Sequence, residues 1–161
     1  MSQSKKLTPN EALIRLQKYC AYQDRCHQEV RNKLFEYQVY GEDQDQVMLA
    51  LIEEKFLDEL RFAKSYVRGK YRLKKWGRVK IKQELKSRDI TDYCIRKGLE
   101  EIEDDVYQDN LETLVEKKLS SLTGTAFTQK QKTAAFVMRK GYTSEEMWPV
   151  IHEVFTRLNP E

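Results

Sequence analysis

Apolar residues recur along this chain at spacings of three and four, and the helices they define follow one another in a pattern that repeats about every 50 residues. Ala12, Ala63 and Leu114 stand 51 residues apart, as do Leu34, Leu85 and Phe136. A turn before every third helix, at Tyr40-Gly41, Asp89-Ile90 and Gly141-Tyr142, recurs at a similar interval. Three amphipathic helices per period cannot each bury an apolar face alone, so they must pack within a unit, and units must stack in sequence. The expected fold is therefore all-α, with three tandem three-helix repeats over residues 8–55, 56–102 and 103–157.

The first helix opens at Thr8, Pro9 and Glu11, a capping box with Pro where an amide would be left unpaired. It carries Ala12, Leu13, Leu16, Tyr19 and Cys20 on one face, and the residues before Thr8 are expected to fray. Asp24 is the candidate cap of a second helix with Val30, Leu34 and Phe35 inward, and a third is expected from Asp43 with Val47, Leu51 and Ile52 inward. In the second unit a helix from Asp58 carries Phe62, Ala63, Tyr66 and Leu73. One from Gly77 carries Ile81 and Leu85, and one capped by Thr91 carries Cys94, Ile95 and Leu99. The third unit opens at Asp104 or Asp105 with Leu111, Leu114, Val115 and Leu119. The stretch Ser120 to Thr128 reads as a loop, followed by a helix with Ala135, Phe136 and Val137. Thr143 or Ser144 caps a last helix with Met147, Trp148, Ile151 and Phe155.

Six Gly and three Pro are too few for a β protein rich in tight turns. No apolar run approaches the roughly 18 residues of a membrane span, and the first residues lack the apolar core of a secretory signal. Cys20, Cys26 and Cys94 form no CxxC and leave an odd thiol, which suits a reducing cytoplasm.

The charge is unevenly distributed. Between Arg68 and Arg88 there are ten basic residues and one acid, Glu84, so this segment carries +9 in a chain whose net charge is +3. On helical geometry Arg68, Arg72 and Lys75 oppose the apolar stripe of their helix, while Arg78, Lys82 and Lys86 follow at i, i+4 and i+8 on the next. Like charges at that spacing repel, and a polyanion or an acidic partner would relieve them. These six residues are the candidate contacts. Glu100 to Glu112 holds seven acids and no base; it lacks the pattern of a calcium loop, and the acids are expected to serve a helix N-terminus. Trp76, at the turn between the basic helices, is expected in the core. His27 and His152 sit in no metal or catalytic motif, and no phosphate loop or nucleophile elbow is present, so neither an enzyme nor a cofactor is expected.

Several of these residues also form a family signature. Phe56-Leu57-Asp58-Glu59, Arg61-Phe62-Ala63, Trp76-Gly77, Ile81, Glu84-Leu85 and Ile90 resemble the central motif of the RecX family, regulators of the RecA recombinase. Ala12-Leu13 and Leu16, then Arg25-Cys26, Glu29-Val30 and Lys33-Leu34, are similar to that family's opening repeat, and Arg139 to Trp148 to its last. Where the family usually has a second Asp, a Ser and Lys-Gly, this chain has Glu59, Cys26 and Arg88-Asp89. The resemblance implies an elongated, curved array of three-helix repeats without catalytic activity. It further implies a protein that lies in the groove of the RecA–DNA filament, limits its extension, and restrains ATP hydrolysis, strand exchange and the SOS response. The expected partners are the RecA filament and, weakly or through RecA, single-stranded DNA, with the protein itself a cytoplasmic monomer away from membranes.

Two other classes compete. A helix-turn-helix DNA-binding module would also use three-helix units, but Gln83 is isolated among lysines and no helix carries a full base-reading set. A scaffold for an acidic protein would use the basic face without binding DNA.

Overall fold

The structure, a computed structural model, describes residues 6–161. Its described residues form nine α-helices and no strand: α1 (Pro9–Tyr22), α2 (His27–Glu36), α3 (Gly41–Glu53), α4 (Glu59–Leu73), α5 (Arg78–Ser87), α6 (Asp92–Leu99), α7 (Asp104–Ser120), α8 (Ala126–Arg139) and α9 (Ser144–Leu158). In each successive trio the first helix packs on the third, and the third on the second. The fold is all-α, three tandem three-helix units in a row, and α4 with α7 is the main helix pair that joins the second trio to the third.

Local chemistry sets most helix starts. Thr8 and Thr143 make reciprocal capping boxes with Glu11 and Glu146, and Asp58, Thr91 and Thr125 each accept an amide hydrogen with the side chain. Some boundaries differ from the sequence expectation. Helix α2 is capped at Cys26, whose amide and thiol both donate to the Glu29 carboxylate at 3.4 and 3.3 Å. Asp24 instead accepts from Arg61 Nε at 2.9 Å. Helix α3 starts at Gly41 and not Asp43, and the loop before α8 ends at Thr125, because that hydroxyl caps the helix three residues earlier than Thr128. Leu7 is buried and its amide donates to Tyr37 at 3.0 Å, so it is held and not frayed; Met1–Lys5 lie outside the described residues.

The repeat register is fixed by a recurring C-terminal turn. After α2, α5 and α8 the amides of Val39, Ile90 and Tyr142 donate back to the carbonyls of Leu34, Leu85 and Val137. The intervening Gln38, Asp89 and Gly141 take positive φ, as helix C-terminal turns of this type require. The equivalent positions are thus Leu34, Leu85 and Val137, all fully buried, and Phe136 sits one residue early at the core margin. The equivalent turns are Gln38-Val39, Asp89-Ile90 and Gly141-Tyr142, not Tyr40-Gly41. One added residue between Leu85 and Val137 accounts for the shift, and in α7 Leu111 and Val115 are buried with Leu114 half-exposed.

Four expected core residues face solvent: Phe35, Ile52, Leu73 and Ala135. In α4 the buried stripe is Phe62, Ala63, Val67 and Tyr71, and Leu73, two residues past Tyr71, falls off it. In α8 it is Thr133, Ala134 and Val137. The first trio encloses its own core around Leu16, Leu34 and Leu51, whereas one continuous core runs through the second and third, from Phe62 and Leu85 to Met147 and Val154. Cys26, although it caps α2, packs into that second core. Between the trios Arg61 also donates to the carbonyls of Lys55 and Phe56, tying α4 to the preceding turn.

Candidate interaction surface

Helix α4 is anchored by its buried stripe, and that anchoring aims Arg68 and Arg72 at the α6–α7 connection. Arg68 Nη1 donates to Glu101 Oε1 at 2.6 Å, and Arg72 Nη2 to Glu103 Oε1 at 3.3 Å. At the start of α5 Arg78 donates to Asp104 Oδ1 at 3.0 Å and lies 3.5 Å from Glu146 Oε2. Three of the six candidate contacts are therefore joined to acids, Arg68 to Glu101 at the end of the second unit and Arg72 and Arg78 to acids of the third. The acids Glu101, Glu103 and Asp104 do more than favour the α7 N-terminus: they neutralise arginines that the sequence expectation assigned to a partner. Each arginine side chain is 39–48% exposed, so solvent screening limits such a pair to roughly 0–1 kcal/mol of stability.

Beneath this ladder lies a set of tyrosines. Tyr71 donates from its hydroxyl to the Glu101 carbonyl at 3.3 Å and accepts from Arg72 Nε at 3.0 Å, while Asn110 donates to the Tyr71 carbonyl at 2.6 Å. Tyr107 accepts from the Arg78 amide at 3.1 Å under the Arg78 guanidinium, which sits 4.1 Å above its ring. Tyr142 donates to the Lys75 carbonyl at 2.8 Å. Burial pushes the Tyr107 phenol up to about 12 and raises that of Tyr142 as well, so both remain protonated. The turn that carries Lys75 and Trp76 is thereby held against the third unit.

The lysines are placed differently. Lys82 and Lys86 stand exposed on α5 without an acid partner. Lys75 is half-buried, with its backbone at positive φ. Trp76 packs against the core as expected, yet its ring also carries Lys80 at 4.4 Å and Lys70 at 4.9 Å. Lys70, Lys74 and Lys80 were not among the sequence candidates; their proximity to Trp76 in the chain was the available signal. The +9 segment thus divides into an internally neutralised arginine ladder and an open lysine face.

No helix among the described residues is long and apolar enough to cross a membrane, and no group of three or more His, Cys, Asp or Glu among them could hold a metal ion. All three cysteines are free and buried, and burial pushes the thiols of Cys20 and Cys26 up to about 11.

Two family models cover more than half of the chain: the second three-helix domain of RecX matches residues 58–99, and the third matches residues 105–151. The chain belongs to the RecX family. Among similar relatives, the regulatory protein RecX of Lactococcus lactis subsp. cremoris (strain SK11) is 30% identical over 129 residues, covering 78% of this chain and 48% of the relative. That of Bacillus mycoides (strain KBAB4) is 27% identical over 145 residues, covering 89% and 54%. This chain spans about half the length of the curated RecX relatives that it matches. In fold it is similar to the crystal structure of RecX from Lactobacillus salivarius, with a TM-score of 0.81 at 21% identity, covering 92% of this chain and 97% of that one. A second crystal structure of regulatory protein RecX gives a TM-score of 0.82 at 22% identity, over 91% of this chain and 73% of that one.

Proposed function

We propose that this RecX-family chain is a negative modulator of the RecA recombinase. In this reading it binds the RecA–DNA filament as a monomer in the cytoplasm, limits filament extension, and so lowers ATP hydrolysis and strand exchange in recombination, repair and the SOS response. It works by binding and not by catalysis. Family membership and the relatives' name, regulatory protein RecX, support a regulatory role. The observation that carries the contact surface is the pair Lys82 and Lys86, exposed on α5 with no acid to neutralise them.

Of the six candidate contacts, we assign the direct ones to Lys75, Lys82 and Lys86. Arg72 and Arg78 hold the second unit on the third, Arg68 ties α4 to the end of its own unit at Glu101, and together they set the angle at which the lysines are presented. A row of phosphates or of acidic side chains along a filament matches a cationic face of this kind, because Lys82 and Lys86 are solvated point charges free to follow the partner, with Lys75 at its margin. Single-stranded DNA would be bound weakly, or through RecA.

RecA ATPase on single-stranded DNA, measured with and without this protein, tests the proposal. The rate should fall at substoichiometric protein, since stopping growth at an end does not require a match to every subunit; an unchanged rate at equimolar protein would overturn it. The helix-turn-helix alternative predicts tight binding to one duplex sequence in the absence of RecA. Gln83 is the lone amide among the lysines of α5, which leaves that helix without a base-reading set.

A further inference from the structure

Ser65, Tyr66, Gly69 and Leu73, at successive helical spacings on α4, line an open groove of about 700 Å³ between the α1–α2 turn and the end of α5. Three features of this face have no explanation within the chain. Gly69 lies inside α4, where glycine weakens a helix relative to alanine, yet no atom lies within 4 Å of where its Cβ would be. Leu73 is 82% exposed at the groove edge. The Tyr66 hydroxyl is buried and makes no hydrogen bond, although buried polar groups ordinarily have a partner.

The charges define what would fit. The carboxylates on the other walls are already matched, Asp24 to Arg61, Glu29 to Arg25 and Glu84 to Arg88. Lys70 and Lys74, on the α4 side, have no acid partner. The groups without an ion-pair or hydrogen-bond partner are thus two cations, of which Lys70 rests over the Trp76 and Tyr66 rings at 4.9 and 5.3 Å, with a phenol donor and an exposed leucine, around a spot where a second backbone can approach closely. We propose that this groove docks an acidic, leucine-bearing segment of a partner protein. Its carboxylates would meet Lys70, Lys74 and the Tyr66 hydroxyl, and its apolar side chains would cover Leu73 and the open Gly69 position. A continuous phosphate backbone is a poorer occupant, because it carries no apolar side chain to cover the exposed Leu73 or to fill the open space over Gly69. The inference goes beyond the RecA reading and does not depend on it, and its test contains no RecA.

The probe is a short synthetic peptide built from Glu, Leu and Ala, titrated to millimolar concentration into the isotope-labelled full chain while backbone amide shifts are followed. A Gln-for-Glu peptide and an oligothymidylate of equal length are the comparison probes. Saturable shifts centred on Gly69, Lys70, Leu73 and Lys74 with the acidic peptide, and smaller ones with the Gln peptide, are expected. Gly69→Leu should fill the groove and weaken binding by about tenfold or more, while its thermal midpoint stays at or above that of the parent. Lys70→Glu with Lys74→Glu should do the same by charge. No saturable shift at these residues, undiminished binding by folded Gly69→Leu, or stronger occupation of the groove by oligothymidylate would each overturn the proposal.

Discussion

Gly77 and Gly141 meet backbone to backbone where the second unit joins the third. The Gly77 amide donates to the Lys140 carbonyl at 2.7 Å, the Val79 amide donates to the Gly141 carbonyl at 3.1 Å, and a Cβ on Gly77 would overlap the Gly141 carbonyl group. This is a two-bond clasp between segments 64 residues apart in sequence, and it explains why the two units share one core. It also brings Tyr142 under the Lys75 carbonyl and so fixes the basic turn.

Gly77→Ala should therefore destabilise the protein by roughly 1–3 kcal/mol or more, because the obstruction is backbone and cannot rotate away. Equilibrium denaturant unfolding measures it. An unchanged midpoint would mean that the clasp opens without cost.

Leu85→Ala should cost roughly 2–5 kcal/mol, the range for truncating a fully buried leucine. Phe136→Ala should cost less than Val137→Ala would suggest from size alone, since Phe136 sits at the core margin and Val137 is fully buried. Thermal melting of the three variants compares the register directly.

The lysine and arginine halves of the basic segment should separate experimentally. Lys82→Glu with Lys86→Glu alters exposed side chains and should leave stability within about 0.5 kcal/mol while weakening filament binding. For each of the two that touches single-stranded phosphate, the slope of log affinity against log salt should fall by about 0.7. Arg78→Ala should loosen the contact between the second and third units and alter binding only indirectly. A folded lysine variant that binds and inhibits like the parent would show that the lysine face is merely solvated.

Gly69→Ala should stabilise the chain by roughly 0.5–1 kcal/mol, the helix-interior difference between the two residues, because the methyl group would enter open space. A loss of stability would instead point to an intramolecular contact at the groove.

Alkaline pH should weaken the fold through the buried thiols. Burial raises the Cys20 and Cys26 thiols from 9.0 to about 11, so the folded state holds their protons more tightly than the unfolded chain does. Their contribution is fully present below about pH 9 and is lost as pH rises through about 11. Replacing both by Ala should flatten the fall in stability over that window, as read by urea midpoints at several pH values.

What the sequence determined by itself was whatever depends on a few neighbouring residues. The caps at Thr8, Asp58, Thr91 and Thr143 and the positive-φ turn at Asp89 lie within one helical turn of the groups they satisfy. So does the apolar spacing that announces three helices in every 50 residues, and the family motif is written on those same positions. The tertiary structure decided what depends on distant partners. Arg68, Arg72 and Arg78 look identical in kind to the lysines around them until the chain folds and brings in Glu101, Glu103 and Asp104, 26 to 33 residues further on. The same holds for Leu73, which is seven residues past Tyr66 and eleven past Phe62, a spacing that suggests a shared face, yet stands outside the stripe that packing buries, at the edge of a groove. Spacing along one helix fixes which residues share a face; only the other helices decide whether that face is covered, and a charge is free or neutralised according to what they bring beside it.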